Sequence, residues 1–298
     1  MRKRETINVL WIFALLATAI TNPAILWSQI PLDSSIVQDL DTFIARAMAT
    51  DLAPGLAVAV VRGNDVIYAK GFGFADKQSR QPVTADTQFY IASTTKSFTA
   101  LAGTLLASRG LIDLDSSLSR ALPRAKFHPQ ISQDQITLRD LLTHTHGIMP
   151  GGPVDFRTAY TGEFTNDQLL DLMRFHGPAP TAKAFSYSNL GYNIFALVLD
   201  GKFEEGWKQV LQHEVFEPLG MRSTTAWMSK AAANRLAQPY ELRPSGPQPV
   251  PSYGEGIAPS PPFRQFFTAS PEGEGRAGNR PKIEYAAAFV YVLSNNSG

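Results

Sequence analysis

Apolar residues recur along this 298-residue chain with two periods, and the changes of period mark its parts. From Ile36 to Met48 they return every three or four positions, which predicts a helix capped at Ser34 or Ser35 and stopped by Pro54-Gly55. Leu56 to Val61 is a short continuous apolar run, Arg62-Gly63-Asn64-Asp65 reads as a turn, and Val66 to Phe74 predicts the returning strand of a hairpin. The Gly-rich GFGFAD at 71–76 lacks the spacing of a phosphate loop and belongs to that hairpin. In QFYIASTTKSFTALAGTLLASR, residues 88–109, strand-prone Phe89, Tyr90 and Ile91 give way to a helical run. There Ser93 or Thr94 is the expected N-cap, and Leu101, Leu105 and Leu106 cover one face.

Helical spacing then dominates. Ile136 to Leu142 leads into a short helix closing at Gly147, and Phe164 to Phe175 predicts a helix capped at Thr165 with Asp167 and Gln168 in its first turn. Leu190 to Leu199 and Trp207 to Phe216 predict two more. A strand pattern returns at Ile283 to Leu293, and pairing it with the first hairpin would give a layered sheet interrupted by a helical insertion. The intervening stretch carries eight prolines from Pro239 to Pro262 and a Gly-, Glu- and Arg-rich segment from Ser270 to Arg280; no regular strands are expected there.

With 44% hydrophobic and 18% charged residues, the chain can fill the core of one large domain or two intimate ones. Arg2-Lys3-Arg4 ahead of the apolar run Val9 to Ile20, with Ala17 and Ala19 as a small-residue pair, reads as a secretory signal. Residues 1–29 are therefore expected to be a signal peptide or, if retained, an N-terminal membrane anchor, and residues 30–298 an exported domain, periplasmic or extracellular. Removing Arg2, Lys3, Arg4 and Glu5 from 27 basic and 26 acidic residues leaves a charge near −1 with no basic block, which argues against a nucleic-acid partner. The absence of cysteine excludes disulfides and thiol nucleophiles. His144 and His146 stand two apart, off any shared helix face, and read as packing or turn residues rather than zinc ligands. No cofactor or metal ion is expected.

The candidate chemistry begins at Ser93. Lys96, three residues on, shares a helix face with it, so the amine can reach the hydroxyl at a helix start where free N–H groups favour developing negative charge. A serine without a histidine partner needs such a base. The spacing is common by chance, so its setting must carry the reading. A second element, Tyr187-Ser188-Asn189, supplies a phenol and an amide.

Taken together, Ser93-Thr94-Thr95-Lys96 and Tyr187-Ser188-Asn189 resemble the serine beta-lactamase-related family of class C beta-lactamases, DD-peptidases and esterase relatives. Supporting strings are GFADKQSRQPVTADTQFYIASTTKSFTA (73–100), ITLRDLLTHTHG (136–147), FSYSNLGY (185–192) and FEPLGMRSTT (216–225). The resemblance spans about residues 35 to 240. It implies an α+β fold, an antiparallel sheet flanked by helices with an all-helical region, and a site in the groove between them. By resemblance Ser93 would attack a carbonyl and form an acyl-enzyme, and Lys96 or Tyr187 would take its proton. Asn189 would hold Lys96 or bind a substrate amide, and the Ser93 N–H would be one oxyanion donor. The expected partner is a small-molecule or peptide-like acyl substrate. Oligomeric state is left open.

Departures temper this. The family's third motif, a Lys or His followed by a small residue and Gly, has no match after Tyr240: Lys282 precedes Ile283 and Glu284, and Arg276-Ala277-Gly278 is a weak substitute. His146 stands where the relatives usually have serine. The expectation is a serine hydrolase acting on an ester, amide or beta-lactam. The alternative is a catalytically weak or inactive binding or truncated member of the same family, atypical after about residue 240.

Overall fold

The computed structural model describes residues 33–249, apart from 52, 63–64, 159–163, 181–182, 228–229, 232–234 and 244. Segment 1–29, the strand expected at Ile283 to Leu293, Arg276-Ala277-Gly278 and Lys282 lie outside the described residues.

Helix α1 (Ser34–Met48) is capped one residue ahead of the expected serines. Asp33 is the N-cap, and its carboxylate accepts the Ser35 N–H and hydroxyl, both at 2.8 Å. A short acidic side chain satisfies the free N–H groups better than a serine already inside the first turn. Strands β1 (Gly55–Arg62) and β2 (Asp65–Asp76) form the expected antiparallel hairpin, paired from Gly55 opposite Gly73 to Arg62 opposite Asp65, with a bulge at Val60/Val61. Gly73 has a φ of 66°, and a Cβ there would lie 2.3 Å from the Pro54 carbonyl oxygen, so only glycine fits. Strand β3 (Gln81–Pro82) pairs with the far end of β2. Asp41 ties α1 to this sheet, accepting from the Tyr68 hydroxyl at 2.6 Å and the Lys70 ammonium at 2.7 Å.

The main core lies in the helical part. Helices α2 (Thr95–Ser108), α3 (Leu118–Ala121), α4 (Leu138–Leu142), α5 (Pro153–Phe156), α6 (Asn166–Leu172), α7 (Asn189–Lys202) and α8 (Gly206–Leu211) surround it. The fully buried Leu190, Ile194, Phe195 and Leu199 make α7 its central member. One expectation fails on α2: Leu101 is 40% exposed, and the buried face is Thr99, Ala102, Gly103 and Leu106. The small residues win because α7 comes close, with Phe195 Cζ only 2.9 Å from where a Gly103 Cβ would be. Thr165 and Gln168 form a capping box at α6, which tightens into a 3-10 turn at Met173–Phe175. The expected helix at 207–216 divides into α8 and a π turn at Gln212–Phe216.

After the helices the chain returns to the sheet. Gln88 donates its N–H to the Arg235 carbonyl and accepts the Ala237 N–H, each at 2.8 Å, and the Gln238 N–H reaches the Ala75 carbonyl at 2.8 Å. Strands β4 (Tyr240–Arg243) and β5 (Gly246–Pro249) then form an antiparallel ribbon, correcting the expectation that this proline-rich stretch lacks strands. Pro247 and Pro249 are two apart, so both missing N–H groups fall on the same edge, away from the partner, while Gly246 and Gln248 keep theirs for the ladder. Among the described residues no helix is long and apolar enough to cross a membrane.

Candidate active site

Ser93 occupies a 3-10 turn, Ala92–Thr94, immediately ahead of α2. Thr94 is the N-cap of α2, one of the two positions expected, but its side chain makes no capping hydrogen bond. Ala92 before Ser93 has a φ of 44°, a left-handed conformation that costs a non-glycine residue and persists only when surrounding structure enforces it. The Gln88 hydrogen bonds to the returning chain hold the approach to this turn. One helical turn on, the half-buried Lys96 points back along the same face.

The second element reaches this place from the other side of the core. Ser188 is the N-cap of α7, its hydroxyl accepting the Leu190 N–H at 3.1 Å, so Asn189 is the first helical residue and Tyr187 lies just outside. The four residues singled out in the sequence therefore meet. The Tyr187 hydroxyl donates to Ser93 Oγ at 2.6 Å, and Lys96 Nζ donates to the same oxygen at 3.1 Å and to Asn189 Oδ1 at 2.7 Å. Lys96 Nζ also lies 5.1 Å from the centre of the Tyr187 ring and 5.6 Å from that of Tyr192. Burial alone would push the Tyr187 phenol up, but hydrogen bonds with Lys96 and Ser93 and the Lys96 charge outweigh it and hold the phenol below its ordinary value.

Such an arrangement can deprotonate a serine. An ammonium beside a phenol favours the phenolate, and that oxygen is already at hydrogen-bond distance from the hydroxyl it must activate. Ser93 and Tyr187 are both exposed, Tyr187 at 51%, so the hydroxyl is open to a reacting carbonyl.

Residue-type reasoning missed two groups at this site. His144 stacks on Tyr187 with ring centres 4.7 Å apart, and Tyr192 lies three residues along α7 from Asn189, its hydroxyl donating to the Leu142 carbonyl at 2.9 Å. The i, i+3 spacing from Asn189 was the available signal for Tyr192. His144 does pack in a turn, as expected, and the turn is part of the site.

A model of the beta-lactamase family matches residues 40–288. The chain belongs to the beta-lactamase family. Its fold is that of the beta-lactamases and transpeptidases, an antiparallel sheet with flanking helices. Protein flp of Staphylococcus aureus (strain MW2) is 29% identical over 217 residues, covering 70% of this chain and 42% of that protein. A beta-lactamase of Providencia stuartii is 30% identical over 205 residues, covering 68% of this chain and 50% of that protein. The chain thus spans half or less of the length of these curated relatives. Among solved structures, EstCE1, described as a hydrolase with promiscuous acyltransferase activity, superposes with a TM-score of 0.63 at 25% identity over 76% of this chain and 64% of that one.

Proposed function

We propose that this protein of the beta-lactamase family is a serine hydrolase that acts on an ester, amide or beta-lactam through an acyl-enzyme on Ser93. The observation that carries the reading is the convergence of the Tyr187 hydroxyl and the Lys96 ammonium on Ser93 Oγ, at 2.6 and 3.1 Å. Ser93 Oγ attacks the carbonyl carbon while its proton passes to the Lys96–Tyr187 pair. The backbone N–H of Ser93 stabilises the resulting oxyanion. Collapse of the tetrahedral adduct breaks the bond to the alcohol or amine, which leaves with the proton held by the pair. Water then attacks the acyl-enzyme by the same route in reverse order and releases the acid. Asn189 keeps the Lys96 ammonium aimed at the nucleophile. The basic and apolar segment 1–29 supports action outside the cytoplasm on a small or peptide-like acyl substrate.

The test is intact-mass labelling of the purified protein with a fluorophosphonate and with a reactive penicillin, beside Ser93→Ala. A stoichiometric adduct on Ser93, absent from the variant, is expected. A folded protein that takes neither label would instead support the binding or catalytically weak alternative.

A further inference from the structure

The same site contains a histidine whose contacts exceed what filling a turn requires. His144 touches five positions around the second motif. Its carbonyl accepts the Ser186 N–H at 2.8 Å, and its Nδ1 accepts the Ser188 N–H at 3.2 Å. Its ring lies 4.7 Å from the Tyr187 ring at 37°, 5.3 Å from Tyr192 at 41°, and 5.7 Å from Phe185 edge-on. These contacts are made from a left-handed backbone, φ 60°, that a histidine adopts only at a cost.

We propose that His144 is the positioning residue of this site: its neutral ring sets the orientation of Tyr187 against Ser93, and its protonation disables the nucleophile. The inference rests on the serine-hydrolase reading of Ser93. Because Nδ1 accepts a hydrogen bond, the proton of the neutral ring is on Nε2. Adding a proton to Nδ1 sets one N–H against another at Ser188, so the ring or the Tyr187-Ser188-Asn189 segment must move. The groups facing this ring are Lys96 from α2, Tyr187 ahead of α7 and Tyr192 on it, and His146 two residues along. Asp140, in the first turn of α4, acts on His146 and is engaged by Lys183. A protonated His144 would add a second cation beside Lys96. Burial first, and then the Lys96 charge, hold the His144 imidazole below its ordinary 6.5, so it is neutral at pH 7.

The experiment measures fluorophosphonate labelling of Ser93 and hydrolysis of p-nitrophenyl acetate from about pH 4.5 to about pH 8 in the wild type, His144→Asn and His144→Phe. Asparagine tolerates the left-handed backbone, offers an oxygen to the Ser188 N–H and does not titrate; phenylalanine keeps the stacked ring and removes the acceptor. The wild type is expected to lose more activity than His144→Asn as the pH falls below 6.5, the difference being the part owed to His144, whose titration lies below that ordinary value; protonation of the Tyr187 base is common to both. His144→Phe is expected to lower kcat about tenfold with KM little changed, because orientation of the base and not substrate binding is affected. Near-UV circular dichroism verifies folding at each pH, and if His144→Phe does not fold, the wild-type and His144→Asn profiles decide the question. A labelled wild type whose acid limb persists unchanged in His144→Asn would overturn the inference alone. A folded wild type with no label on Ser93 would overturn the serine-hydrolase reading and the inference with it.

Discussion

His146 gives a prediction whose size follows from its surroundings. The side chain is 4% exposed, and Nδ1 accepts the Ile148 N–H at 3.1 Å, which leaves the proton on Nε2 with no acceptor among the described residues. Burial and then the neighbouring His144 push its pKa down from 6.5 to about 4. An unfolded chain takes up a proton near 6.5, the folded one only near 4, so between these values the unfolded state binds more protons. The contribution to stability is therefore complete above pH 6.5 and is lost as the pH falls towards 4. The separation corresponds to about 3 kcal/mol, about 2 kcal/mol of which is gone by pH 5. That is a large part of a typical domain's 5–15 kcal/mol. Urea unfolding followed by tryptophan fluorescence at about pH 7.5 and about pH 5, for the wild type and His146→Asn, measures it. Asparagine can accept the Ile148 N–H without titrating, and the other ionisable groups are common to both proteins. The wild type should lose about 2 kcal/mol more than the variant between the two conditions. Equal losses would refute the argument that a buried neutral His146 drives this acid sensitivity.

Other outcomes follow from single contacts. Gly191→Ala puts a Cβ 2.6 Å from the Leu141 carbonyl oxygen and about as close to the His146 ring, and should destabilise the fold by about 1–3 kcal/mol in thermal melts. Thr165→Ala removes half of the capping box on α6 and should cost about 1 kcal/mol by urea titration, with labelling of Ser93 unchanged. Tyr187→Phe keeps the ring but removes the oxygen nearest Ser93 Oγ, so the rate of fluorophosphonate labelling should drop about a hundredfold in a protein with wild-type stability. Asn189→Ala takes away the acceptor that holds Lys96 and should lower kcat/KM about tenfold, read from ester hydrolysis.

Local pattern was informative where a local rule decides the structure. The hairpin of β1 and β2 follows from two apolar runs separated by the turn-prone residues Gly63 and Asn64, and the capping box of α6 from Thr165 and Gln168 at their fixed spacing. The spacing of Ser93 and Lys96 placed both on one helix face, and the 3.1 Å contact follows from it. Prolines misled at 247 and 249, because a rule for central strands does not bind a two-stranded ribbon with an open edge. Leucines misled on α2, because hydrophobicity alone does not tell which face a neighbouring helix will approach closely enough to demand Gly103 and Ala102.

The sequence by itself therefore determined the parts: the hairpin, the helices, a serine with its lysine, and a tyrosine and asparagine at the start of another helix. Only the tertiary structure decided that Tyr187, 94 residues from Ser93, comes within 2.6 Å of it, and that His144 serves as the surface on which Tyr187 lies. The physical reason is that propensity and spacing act over a few residues along the chain. The meeting of α2, α7 and the turn after α4 is set instead by how their apolar faces pack around one core.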